Sequence, residues 1–243
     1  LQAQYVLDSF TFHASIQDVR TWGSTPQIKA TDPFLSLHEA WAEVAIHKNW
    51  RIKLGRQELN YDNARFLGNL DWALQARAHD FALVKYEKED FKLQFGGGYN
   101  QDAQFLRGNI FTIPNQYKTA QMLWLEKRWE KFSLSFLAWN DGRQFVNRDT
   151  AGVILDKGQY FRPTIGLSGV KWNLGKTVLS GFYYYQFGQD RRGVDVNAFD
   201  ISAQITRTLF SNSDKGRNLK LAAGFEILSG TEMIGSTGED NSF

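Results

Sequence analysis

Apolar and polar residues alternate with a period of two along most of the chain. The alternation comes in segments of about ten residues, the length a tilted strand needs to cross a bilayer. Phe10, Phe12, Ala14 and Ile16 alternate with Thr11, His13, Ser15 and Gln17. Phe91, Leu93 and Phe95 alternate with Lys92, Gln94 and Gly96, and Phe199, Ile201, Ala203 and Ile205 with Asp200, Ser202, Gln204 and Thr206. Twelve strands are predicted, at 1–6, 9–20, 36–47, 50–58, 72–86, 90–99, 117–129, 131–140, 160–172, 177–188, 195–208 and 218–229.

Connections alternate in length. Leu7-Asp8, Lys48-Asn49, 87–89, Glu130 and 173–176 read as short turns, with 211–217 slightly longer. Long loops are predicted at 21–35, 59–71, 100–116 and 141–159, a shorter one at 189–194, and a tail from 230. Short turns on one rim and long loops on the other form the outer-membrane barrel pattern. A soluble sandwich shares the alternation, with its apolar face as core. Strand length and segregated loops favour lipid on the apolar side and a lumen on the polar side. The expected fold is thus all-β: a transmembrane antiparallel up-and-down barrel, read as a single domain over 1–243. If short turns face the periplasm, the chain starts and stops on the outer side. It is then expected to be part of a larger barrel, because an open edge in lipid leaves backbone groups unpaired.

Three places break the pattern. Gln121 to Leu125 is apolar on both faces. Pro163 removes a ladder donor and is expected near a strand end or bulge. Arg56 shares parity with Ile52 and Leu54, so either a bulge at Gly55 or a position beyond the membrane should give it a polar setting.

Composition agrees with this picture. Aromatics make up 15%, with 19 Phe, 9 Tyr and 8 Trp, as aromatic girdles require. No run approaches the roughly 18 apolar residues of a spanning helix. A net charge of +2 with no basic block gives no nucleic-acid signal. No cysteine is present, which excludes a disulfide scaffold and a thiolate nucleophile. No leader is visible at the start, and a signal peptide is expected upstream, removed on export.

Catalytic motifs are absent: no phosphate loop, no His-Glu-x-x-His and no nucleophile elbow. An enzymatic role is not expected, and a barrel-embedded hydrolase is the least favoured reading. His13, His38, His47 and His79 are scattered over three strands without ligand spacing, so neither a metal nor a cofactor is expected. Glu39 and Glu43, four apart on one strand face, are about 13 Å apart, too far for a glycosidase pair. They are expected to pair with Arg51, Lys53 or Arg56 on the adjacent strand. The same charges can set pore selectivity.

Gln17-Asp18-Val19-Arg20 with Trp22-Gly23, then Gly55-Arg56-Gln57-Glu58-Leu59, then Asp71-Trp72 with Arg77 and Asp80, together resemble the alginate-export family of outer-membrane proteins. The resemblance is tight over about 14–80 and looser beyond, where the tail around Gly238-Glu239-Asp240-Asn241 also matches. It implies a monomeric porin-like barrel of about sixteen to eighteen strands, secreting an anionic polysaccharide through an arginine-lined constriction. It makes Arg20, Arg56 and Arg77 cationic guides for carboxylates, Gln57 a polar neighbour, and Asp18 and Asp80 the groups that orient the arginines. The wall is not uniformly basic: Glu39, Glu43, Asp200 and Glu226 are interleaved with Lys53, Lys92, Arg162 and Lys220. Small anionic solutes therefore stand beside polysaccharide as candidate cargo. The expected function is a passive channel in the bacterial outer membrane, in contact with lipid and lipopolysaccharide. The alternative is a plugged, structural barrel that docks other outer-membrane proteins.

Overall fold

The computed structural model describes residues 1–19, 35–73, 75–101, 116–212, 217–231, 240, 242 and 243. The fold is all-β. Its strands are β1 Gln2–Val6, β2 Phe10–Asp18, β3 Leu35–His47, β4 Trp50–Gln57, β5 His79–Lys88, β6 Phe91–Tyr99, β7 Thr119–Arg128, β8 Phe132–Arg148, β9 Ile154–Leu174, β10 Thr177–Gln189, β11 Asp195–Asn212 and β12 Arg217–Leu228. They run antiparallel in up-and-down order. Two compact units divide the chain, Leu1–Tyr86 and Glu87–Phe243.

In the first unit each strand pairs with the next. Ser15 stands opposite Glu39, Glu43 opposite Lys53, and Ile52 opposite Val84. Between β2 and β3 the register slips: Ser15 faces Glu39 but Ile16 faces Leu37, leaving His38 as an extra residue. This is a β-bulge, which bends the strand and re-aims side chains. The expected bulge at Gly55 is not there. Trp41 pairs with Gly55 and Ala40 with Arg56 in unbroken register. Gly55 instead has a φ of 121°, and an added Cβ would sit 2.2 Å from the Ala40 carbonyl oxygen. Only glycine fits there.

The second unit continues the pattern over longer strands. The predicted loop at 141–159 is mostly strand, since β8 runs on to Arg148 and β9 starts at Ile154. The ladder continues there, with Asp141 facing Arg162 and Asn147 facing Asp156. Phe145 and Tyr160 stack at 4.4 Å. The chain reverses at 149–153, where Asp149 Oδ1 accepts the N–H groups of Ala151 and Val153. Pro163 sits inside β9, but the β9–β10 ladder ends at Thr164 opposite Gln186, so its missing donor costs nothing on that side. The predicted strand at 72–86 begins only at His79; positive φ at Leu70 and Ala76 keeps the preceding residues in a loop.

Burial is inverted relative to a water-soluble protein. On β2, His13 and Ser15 are buried while Phe12 and Ile16 are exposed. Ser135, Thr164, Ser168, Gln186 and Asp200 are buried, whereas Leu123, Ile165, Leu167, Phe187 and Phe199 point outward. Exposed large apolar side chains continue along β11 and β12, through Ile205, Leu221 and Phe225. So wide an apolar surface needs an apolar environment.

If that face meets acyl chains, Ile205→Arg destabilises the folded state by about 2–4 kcal/mol, read as a lower urea midpoint in lipid vesicles. A change near zero would mean that water covers the position. A second expectation concerns the β10–β11 turn. Burial raises the Asp190 carboxyl, but hydrogen bonds from Arg192 Nε and from the N–H groups of Val194 and Arg192 outweigh it and leave the pKa below the ordinary value. A depressed carboxyl stabilises the turn above its unfolded pKa and stops doing so as pH falls through its folded pKa. Amide protection at Arg192 and Val194 should therefore drop in acid, and Asp190→Asn should abolish that pH dependence.

Candidate channel lining

The polar face of the first unit is set by parity. Odd-numbered residues of β3, β4 and β5 share it: Glu39, Trp41 and Glu43, then Arg51, Lys53 and Gln57, then Phe81, Leu83 and Lys85. Glu43 is the hub. Its Oε1 accepts Arg51 Nη1 at 3.2 Å and its Oε2 accepts Lys85 Nζ at 2.9 Å. One carboxylate is thereby shared by cations from two successive strands. Lys53 stands opposite Glu43, but its Nζ lies 3.8 Å from the centre of the Trp41 ring, a cation–π contact. Arg51, Lys53 and Lys85 thus form a cationic row against Glu39 and Glu43.

Glu39 differs from its expected role. It orients no arginine in the contacts described: its Oε1 accepts Trp41 Nε1 at 3.2 Å and the Glu58 N–H at 3.1 Å. The bulge at His38 opens the β2–β3 ladder, and the freed Glu39 N–H donates to Ser15 Oγ at 3.1 Å.

Arg56 pairs with Asp80 as expected, Nη1 to Oδ2 at 3.1 Å, and its Nε donates to the Leu37 carbonyl. The face is not the expected one. Unbroken register leaves Arg56 and Asp80 on the side of Ile52, Leu54, Ala82 and Val84, at the end of β4 and start of β5. Gln57 is also placed differently. It is 0% exposed, and its Nε2 donates to the Phe81 carbonyl at 2.8 Å, so it ties β4 to β5 and meets no solute. Arg77 is exposed in the 58–78 loop, its N–H donating to the Asn69 carbonyl. Asp18 ends β2 and is exposed. Arg20 and the Trp22-Gly23 pair lie outside the described residues.

The 58–78 loop crosses β3 on this polar face. Asn69 Nδ2 donates to Glu58 Oε2 at 3.0 Å, and Gln17 Nε2 of β2 donates to the Gln75 carbonyl at 3.0 Å. Leu59 and Leu67 of this loop are buried. The chain thus lays a folded segment over one end of the charged wall, where the sequence pattern had suggested only a long loop followed by a strand.

The second unit has its own polar cluster. Asp141, 2% exposed, accepts Arg143 Nε at 2.8 Å, and Arg162 Nε lies 3.6 Å from its other oxygen. Gln186 Nε2 donates to Thr164 Oγ1 at 2.8 Å. Sequence reasoning placed Asp141 and Arg143 in a loop and so missed this cluster. It also missed Lys85, whose role depends on the β4–β5 register.

These features define a class: membrane-spanning antiparallel strands with an apolar outer face and a charged inner one, as in outer-membrane channels. Residues 2–98 match the family model described as Alginate export, which bears out the resemblance carried by Asp18, Arg56, Trp72 and Asp80. The fold and this match place the protein in the bacterial outer membrane. No curated protein matches the chain. Among solved structures it is similar to OmpT, an outer membrane protein of Vibrio cholerae. The in-vitro folded form shows 13% identity and a TM-score of 0.37, covering 100% of this chain and 82% of that one. The outer-membrane expressed form gives 14% and 0.39, covering 100% and 83%.

Asp141 allows a direct test of how tightly the charges are coupled. Asp141→Asn leaves two part-buried guanidinium groups facing each other and should cost about 3 kcal/mol or more, measured by urea unfolding in vesicles.

Proposed function

We propose that the chain walls a passive channel for anions, either anionic polysaccharide or small anionic solutes. The observation that carries this reading is the row Arg51, Lys53 and Lys85 on one polar face, opposed there by Glu39 and Glu43. The three cations are interleaved with Glu39, Glu43 and Glu58, and Glu43 is already engaged on both oxygens. Arg51, more than half exposed in its side chain, is open to a passing carboxylate. Guanidinium groups bind carboxylates in a planar fork, and loose, repeated contacts allow a polyanion to slide. The match to an export family agrees with such cargo. Arg77, exposed on the crossing loop, would serve as a further guide at one end of the wall. Arg56 is not assigned to the wall, because it stands on the apolar side.

Planar-bilayer recording under a salt gradient tests this. The full-length protein should give a reversal potential biased to anions. Arg51→Glu combined with Lys85→Glu should reverse its sign, while Arg56→Gln should leave it in place. An intact protein that passes no current would favour the plugged, structural alternative. Unchanged selectivity in the double variant would remove these cations from the path.

A further inference from the structure

We infer that the 58–78 loop is the size filter of the channel, with Glu58 as the positioning residue that latches it across the polar wall. The filter rests on the channel proposed above.

The loop is far longer than its link requires. Gln57 of β4 pairs with His79 of β5, so the two strands are neighbours where the loop leaves and where it returns. A hairpin joining such neighbours needs about two to five residues. The chain instead turns away from β5. Its Gln75 carbonyl accepts Gln17 Nε2 of β2 at 3.0 Å, and β2 lies beyond β3 from β4. Gln17 shares strand parity with His13 and Ser15, which are buried on the polar side. The loop therefore passes over the polar side of β3 before it rejoins the sheet at His79.

Glu58 fixes where this excursion starts. Its Oε1 meets His38 Nε2 at 2.9 Å, its Oε2 accepts Asn69 Nδ2 at 3.0 Å, and its N–H donates to Glu39 Oε1 at 3.1 Å. One residue thus ties the wall, at the β3 bulge, to the body of the loop. Within the loop, Arg77 N–H donates to the Asn69 carbonyl at 2.6 Å and Tyr61 N–H to the Leu67 carbonyl at 3.0 Å. Asp62, Ala64, Leu70 and Ala76 hold φ between 51° and 58°. Residues with a Cβ take that left-handed backbone at a cost, so four of them in one segment need surroundings that hold them there. A plain connector would relax. A segment packed, latched and strained on a channel wall occupies part of the cross-section and limits the width of what passes.

The test uses the full-length protein in planar bilayers, with uncharged polyethylene glycols of graded size as probes of the open pore. Glu58→Ala, and separately Gln17→Ala, should raise single-channel conductance and shift the polymer cut-off to larger sizes. A merely structural role for either residue would lower stability and leave the cut-off alone. The chain has no cysteine, so Gln17→Cys with Gln75→Cys can be joined by a short thiol cross-linker. In the Glu58→Ala background that link should restore the native cut-off. Heat-modified gel migration checks folding; should Glu58→Ala misfold, Gln17→Ala decides. A native cut-off in the folded, unlatched variants would overturn the filter and leave the channel standing. A full-length protein that carries no current would remove the channel, and the filter with it.

Discussion

Backbone hydrogen bonding in hydrocarbon governs this structure. Inside a bilayer no water can satisfy an exposed N–H or carbonyl, and each orphan costs several kcal/mol. A continuous antiparallel ladder answers that demand strand by strand, and the register from β6 to β12 is broken only at local slips. Once the ladder exists, side-chain parity follows. One face must be greasy throughout, as Phe199, Ile201 and Ile205 are. The other is free to carry Asp200, Ser202 and Thr206.

That freedom is used for charge rather than for an apolar core. Charges on the inner face are tied to one another before they are offered to a solute. Glu43 serves two cations, Asp141 lies between two arginines, and Lys53 rests on an indole. Such sharing holds long side chains in place, so their rotamer freedom is already lost on folding. It also moderates the field. Interleaved carboxylates leave this face with a weaker net field than a row of cations alone would carry.

Strands were legible because a period of two is hard to mistake over ten residues. Most predicted ends fall within a residue or two of those found. The failures have physical reasons. Asp141, Arg143, Asp156 and Lys157 have loop-like composition, yet continue as strand because they are paired or lie beyond lipid. At Trp72, alternation carried on where positive φ values in the chain before His79 keep the backbone irregular. Within the site, parity alone gathered Glu43, Arg51 and Lys53. It could not gather His13, His38, Glu39 and Glu58, because a bulge breaks the alternation at His38 and a turn of chain after β4 supplies Glu58. Arg56 shows the converse: its parity was read correctly, and the bulge invoked to correct it is missing.

The extra length of β8 and β9 carries the sheet past the membrane. Their 17 and 21 residues exceed the nine to eleven of a tilted crossing by a wide margin. With about 3.3 Å per residue and the usual tilt, the ribbon ending at 149–153 rises roughly 15–20 Å past the hydrocarbon. Electrostatic influence fades over about 8 Å at physiological ionic strength. A charged group at the tip of that ribbon is therefore screened from the charges of the lipid headgroups, and its electrostatic neighbours belong to the protein.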